Sequence, residues 1–232
     1  MTASPQSPSF DVDVVEGNVG RALVVRLAGP HDVLSWAIVN GGRRAADMIV
    51  WREVRLDELG PTNDPSALLT ATLSELAAPG AVGLLTARDV RRYEVARAEH
   101  EGVAADCLVT VGLGNLLAVG DPTAPAHRPA GTINLLCRLS VGLTDEALIE
   151  ASAIAAEART AAVLAAGLRS PLTGRPATGT GTDCIVMAAP ALAKRERFAG
   201  KHTACGSVIG AAVLAAVARG TARWLEENRC PT

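Results

Sequence analysis

Two polar clusters hold the residue types that chemistry requires. Thr178-Gly179-Thr180-Gly181-Thr182-Asp183 packs three hydroxyls, two glycines and a carboxylate into six positions and runs into the apolar string Cys184 to Met187. Glycines let backbone N–H groups approach a ligand or sit at positive φ. Gly200-Lys201-His202-Thr203 adds a cation and an imidazole ahead of a long Ala-rich stretch. The first segment is neither a Walker loop, lacking the Gly-Lys-Ser/Thr ending, nor a GxGxxG fingerprint. As a bare pattern it is equally an ordinary hydroxyl-rich turn. Asp183 serves either local backbone N–H groups or a histidine or substrate group that it orients. A lone histidine is more often a surface or capping residue than a catalyst. Lys201 and His202 before a helix also make an anion site a reading of that segment. Cys205 lies three residues from His202, but an inert buried thiol is favoured over a Cys–His nucleophile.

Three further loops carry the same signature: Ser35 to Gly42, Gly112 to Asn115 and Gly131 to Asn134. Asparagine recurs as Asn40, Asn115 and Asn134, either as turn punctuation or to read a ligand's amides. His31 beside Asp32 reads as loop decoration, and Glu157 and Arg159 as the solvated face of a helix.

Regular elements must hold these loops. Asp11 to Val15 and Ala22 to Leu27 read as strands of a hairpin about Glu16-Gly17-Asn18, the second broken by Pro30. Further strands are expected at 48–54, 82–85, 105–111, 132–139 and 183–187, and a helix at 66–76. Loops are expected at 60–65 and 121–130. Thr144 with Asp145 and Glu146 marks a helix start, and Gly167 its end. A last helix spans about 206–227. Strands early and long helices late, without strict βαβ alternation, predict an α+β layered single domain. Its mixed or antiparallel sheet would be packed by long Ala-rich helices.

The chain has 232 residues, 49% of them hydrophobic, which suffices for a sizeable core. With 22 basic and 24 acidic residues the net charge is −2, so no electrostatic footprint for nucleic acid is expected. No uncharged run of about eighteen apolar residues stands out, so no membrane span is expected. Residues 1–9 read as a disordered tail without secretory features, which predicts a cytoplasmic protein. The five cysteines make no CxxC pair and read as reduced core thiols. Neither HExxH nor a Cys/His cluster offers a metal site.

The strings Leu34 to Gly42 (LSWAIVNGG), Gly131 to Asn134 (GTIN), Ala177 to Asp183 (ATGTGTD) and Ala199 to Gly210 (AGKHTACGSVIG) resemble the adenosylcobinamide amidohydrolase family of corrinoid salvage. So does the helical run Ala155 to Ala162. Order and spacing agree from about Val33 to the last helix, so the likeness spans most of the chain. The resemblance implies a single amidohydrolase domain over 10–232. It implies hydrolysis of the amide joining aminopropanol to the corrin's propionyl side chain, giving adenosylcobyric acid and 1-aminopropan-2-ol. The cobalt corrinoid is then substrate, with no further cofactor, and a homo-oligomer is compatible.

On that reading a metal-independent route is expected. His202 activates water or a Thr hydroxyl such as Thr182 and protonates the leaving amine, and Asp183 orients His202. Backbone N–H groups of Thr178, Gly179, Thr180, Gly181 and Thr182, with Lys201, stabilise the oxyanion. Asn40, Asn115 and Asn134 bind peripheral amides, beside Ser35, Gly41, Gly42 and Thr132. The alternatives are a corrinoid carrier without chemistry and a Thr- or Cys-nucleophile amidase acting on another amide.

Overall fold

The computed structural model describes residues 8–228 except 19, 60–62 and 124–130. Of the expected tail at 1–9, residues 1–7 lie outside the described residues, as do 60–62 and 124–130 of the two expected loops, with His127 and Cys230. Ser9 is instead tied down, its N–H donating to Asp106 Oδ2 at 3.3 Å and its Oγ accepting from Arg97 at 3.2 Å.

Strand β1 (Phe10–Gly17) pairs antiparallel with β2 (Gly20–Ser35), in register from Phe10–Leu27 to Gly17–Gly20. The Glu16-Gly17-Asn18 signal therefore does close a hairpin. Pro30 does not end the second strand, as the sequence reading expected. β2 runs sixteen residues, and its pairing with β3 (Gly42–Glu53) slips between Arg26 and His31. A bulge tolerates proline because the ladder bond it cannot donate is already missing there. His31 is corrected as well. It is buried on β2, its Nδ1 facing the Gly29 carbonyl at 2.9 Å and its Nε2 the Arg138 Nε at 3.3 Å.

Helix α1 (Pro65–Glu75) is capped by Asp64, whose side chain accepts from Ser66 N, and leads to β4 (Val82–Thr86). Strand β5 (Tyr93–His100), absent from the sequence reading, pairs antiparallel with β6 (Val103–Val111). Then come β7 (Leu116–Leu117), β8 (Ile133–Leu139), β9 (Gly142–Leu143) and helix α2 (Asp145–Ala165). The chain finishes with β10 (Gly179–Thr180), β11 (Cys184–Pro190), β12 (Arg195–Glu196) and helix α3 (Ala204–Glu227). Thr144 caps α2 by accepting from Ala147 N, and Gly167 just beyond its end has φ +68°. Both signals behave as their chemistry requires.

The main sheet runs β4-β3-β2-β11-β8-β6-β5, with β1 beside the first half of β2 and β11 beside the second. It is mixed, because β11–β8 and β3–β4 are parallel and the other pairs antiparallel. Helices α2 and α3 cover one face through Ala151, Ala155, Ala158, Ala212 and Ala216 against Leu135, Cys137, Ile185 and Met187. Small side chains let the helices lie close, which is how an aromatic-poor chain fills its core. The other face carries Leu108, Leu136 and Val186, packed with Leu23, Val25, Trp51 and Leu84 of the curled first half. The result is a mixed α+β domain, as expected. By length and composition α3 could cross a bilayer, but here its apolar face is built into this core.

Candidate functional site

The sheet brings the polar loops to one of its ends. Ser35 closes β2 opposite Gly42, the first residue of β3, and faces Val186 of β11. Cys184, the first residue of β11, pairs with Asn134, and Asn134 with Thr110. Val111, last in β6, pairs with Ile133, first in β8, and Gly112 N donates to Thr132 O at 3.0 Å. The Gly112–Asn115 turn is drawn onto the threonine–glycine segment, with Gly181 N donating to Asn115 O at 3.3 Å. Antiparallel β7–β10 pairing continues that contact.

Asp183 bolts this end together. Its Oδ1 accepts from Ile133 N (2.9 Å) and Thr180 Oγ1 (2.5 Å), and its Oδ2 from Thr180 N (2.9 Å) and the Arg159 guanidinium. The carboxylate is 5% exposed, and both oxygens are engaged. Gly179 is obligatory beside it, since a Cβ there would lie 2.4 Å from Asp183 Oδ2 and 2.9 Å from Arg159 Nη1. Arg159, read from sequence as solvated helix surface, is a half-buried partner of this acid. Glu157, two residues earlier, is exposed as expected.

Asp183 therefore does not orient His202, and the expected acid–imidazole pair is not formed. His202 is exposed at the start of α3 and makes no hydrogen bond or ion pair to any described residue. Lys201 Nζ pairs with Glu157 Oε1 at 2.5 Å, and Ala199 N donates to Glu150 Oε2 at 2.7 Å, so this segment docks on α2. Residues two apart on a helix project about 200° apart, so Glu157 and Arg159 hold the two motifs on different flanks of α2. The far end of α3 reinforces this. Gly220 abuts Val111, where a Cβ would lie 2.5 Å from Cγ2, and Arg223 pairs with Glu94 at 2.7 Å. Gly220 lies about 25 Å along the helix from Thr203, at 1.5 Å per residue. Among the described residues, neither Lys201 nor His202 makes a hydrogen bond or ion pair to the loop cluster.

The cluster's other predicted residues divide into scaffold and surface. Asn40, at φ +58°, donates through Nδ2 to Pro79 O (2.9 Å) and Ala81 O (2.8 Å), clamping its own turn to the chain before β4. Asn134 is buried and donates to Leu85 O at 2.7 Å. The side-chain oxygens of Asn115 and Asn134 are both buried without a partner among the described residues. Asn40 and Asn134 are therefore bonded into the frame through their side-chain amides. Ser35 is also buried, its Oγ accepting from Ala37 N at 3.4 Å. Thr178 Oγ1 accepts from Val119 N at 2.8 Å. The N–H groups of Thr178, Thr180 and Gly181 are engaged by Leu117 O, Asp183 Oδ2 and Asn115 O, so they do not form an oxyanion hole.

What faces solvent is a pair of hydroxyls. Thr132 Oγ1 and Thr182 Oγ1 lie 2.6 Å apart, and Thr182 Oγ1 also donates to Gly131 O at 3.2 Å. Gly131 cannot carry a side chain, since a Cβ would meet Gly114 N and Asn115 N at 2.6 Å. Neither hydroxyl is bonded to a titratable side chain among the described residues. Next to them stands Trp36, 52% exposed, its Nε1–H donated to the Asp183 carbonyl at 2.7 Å. Trp36 was not singled out from sequence. The available signal was a tryptophan among polar loop residues in a chain only 3% aromatic.

Cys184 and Cys205 are both buried. Burial pushes the Cys184 thiol up to about 12 and raises that of Cys205. Among the described residues no group of three or more His, Cys, Asp and Glu could hold a metal ion. A cavity of about 470 Å³ lies at the opposite end of β2 and β3. It is lined by Glu16, Arg21, Arg52, Glu53 and Glu58, charges that pair with one another.

A family model described as adenosylcobinamide amidohydrolase matches residues 10–229. No curated protein matches the chain. Among solved structures, the PH0078 protein from Pyrococcus horikoshii OT3 is 14% identical with a TM-score of 0.44, covering 98% of this chain and 82% of that one. The L-aminopeptidase D-Ala-esterase/amidase from Ochrobactrum anthropi, described as a variant of the Ntn hydrolase fold, is 12% identical with a TM-score of 0.41. That match covers 92% of this chain and 83% of that one.

Proposed function

The chain belongs to the adenosylcobinamide amidohydrolase family, and from that premise we propose that it hydrolyses the amide between aminopropanol and the propionyl side chain of adenosylcobinamide. Water supplies the elements that give adenosylcobyric acid and 1-aminopropan-2-ol. The reaction centre is the end of the sheet where Thr132 and Thr182 meet. The observation that carries this reading is that pair of solvent-facing hydroxyls, 2.6 Å apart, on loops fixed by a fully engaged Asp183.

Amide hydrolysis develops negative charge on the carbonyl oxygen, and preorganised donors aimed at that oxygen lower the barrier. Two hydroxyls held by neighbouring strands suit that task. Thr132 and Thr182 rotate their O–H groups toward the scissile carbonyl, while Asp183 and Arg159 keep the loop from yielding. Incubation of the protein with adenosylcobinamide, followed by mass spectrometry, tests the reading. Cobyric acid and aminopropanol in equal amounts support it, and unchanged substrate after many enzyme equivalents refutes it. A cobyryl mass on the protein would make a threonine the nucleophile instead.

A further inference from the structure

Trp36 and Ile38 stand exposed on a turn that is bonded from several sides. Each is 52% exposed, which leaves large apolar surface in water. Their turn is nonetheless over-determined. Asn40 ties it to Pro79 O and Ala81 O, and Gly83 N donates to Val39 O at 3.0 Å. Gly41 sits so close that a Cβ would lie 2.4 Å from Ala37 O. The indole itself is anchored through Nε1 to the carbonyl of Asp183, the residue that follows Thr182. An aromatic ring fixed in advance loses little freedom when a ligand covers it, so its apolar area converts efficiently into affinity.

We propose that Trp36 and Ile38 form a shelf for the apolar rim of the corrin macrocycle. The inference rests on the function proposed above. The occupant follows from continuity with the hydroxyl pair. The scissile amide hangs from the macrocycle on a short propionyl arm, so an amide seated at Thr132 and Thr182 brings the ring's edge beside it. The adenosyl group, carried on the cobalt, falls farther away. Nothing charged is needed on the shelf, because the methyl groups and neutral amide chains of the ring's rim carry no charge.

The test is binding and turnover of Trp36→Ala and Trp36→Phe beside the wild type. The ligands are dicyanocobinamide, which lacks the adenosyl group, and adenosylcobinamide. Affinity is read from the corrin absorbance and oligomeric state from light scattering. The shelf predicts that Trp36→Ala weakens both ligands equally, by about 10- to 100-fold, with Trp36→Phe much closer to wild type. Unchanged affinity in a folded Trp36→Ala variant overturns the shelf. So does a loss confined to adenosylcobinamide, which would put adenine on the ring. Unchanged affinity with loss of a dimer would make the turn a contact between copies. Wild-type protein that neither binds nor cleaves either ligand refutes the function itself, whereas normal turnover with an indifferent Trp36 refutes only the shelf.

Discussion

Replacing Arg159 with methionine should loosen the whole loop cluster, and its magnitude follows from the surroundings of Asp183. Methionine keeps the bulk of the stem and removes the charge. The carboxylate left behind is 5% exposed, so water cannot readily substitute for the guanidinium. Stranding one partner of a buried ion pair costs about 3–5 kcal/mol. Ile133 N, Thr180 N and Thr180 Oγ1 still donate to the carboxylate, which argues for the lower end, about 3 kcal/mol. For a domain of this length that corresponds to a fall in Tm of about 6–12 °C. Against a typical stability of about 5–15 kcal/mol, the variant should still fold at room temperature. Urea unfolding of Arg159→Met, Asp183→Asn and the double variant is the appropriate assay. The double variant should lose about 2 kcal/mol less than the sum of the singles, since one change removes the reason for the other. Additive losses, or a Tm within about 2 °C of wild type for Arg159→Met, would refute the argument that this pair fixes the site.

Other outcomes follow from the same geometry. Thr182→Val, nearly equal in volume, should lower kcat at least 100-fold with KM within about 3-fold, because hydroxyl donation matters as charge develops. His202→Ala should keep turnover within about 3-fold. A larger loss there would move the reaction centre to the start of α3. Alkylation at pH 8 should leave activity intact for hours, because the Cys184 thiol, pushed up to about 12 by burial, holds almost no thiolate. Rapid inactivation with label on Cys184 would contradict that. Gly179→Ala should destabilise about as much as Arg159→Met, since its methyl would sit 2.4 Å from Asp183 Oδ2, and thermal melts would show it.

Local chemistry made much of this architecture readable. Thr144 and Gly167 bound α2 because a cap and a positive-φ stop act within one turn. The glycine and asparagine clusters marked loops, and strand pairing then gathered those loops at one end of the sheet. What escaped was long-range. Arg159 looks like helix surface until a carboxylate twenty-four residues on folds against it. Asp183 and His202 looked like a pair because each belongs to a polar cluster, and nothing in their spacing reveals that Arg159 and Glu157 of α2 engage the two segments separately. Strand β5 was missed because Glu94, Arg97 and Glu99 make it read as a polar stretch, although its Ala96 is buried and Val95 half-buried. Pro30 masked a continuous β2 because a bulge cannot be anticipated from one side of a ladder.

Helix α2 works like a keyed shaft. Glu150 and Glu157 share one side and hold the segment before α3, while Arg159, turned well away from them, engages the acid behind the hydroxyls. A single residue inserted between Glu157 and Arg159 would rotate one key about 100° relative to the other. One fastening would survive and the other would miss its slot. That stretch of chain can therefore exchange side chains on its outer face far more freely than it can change length.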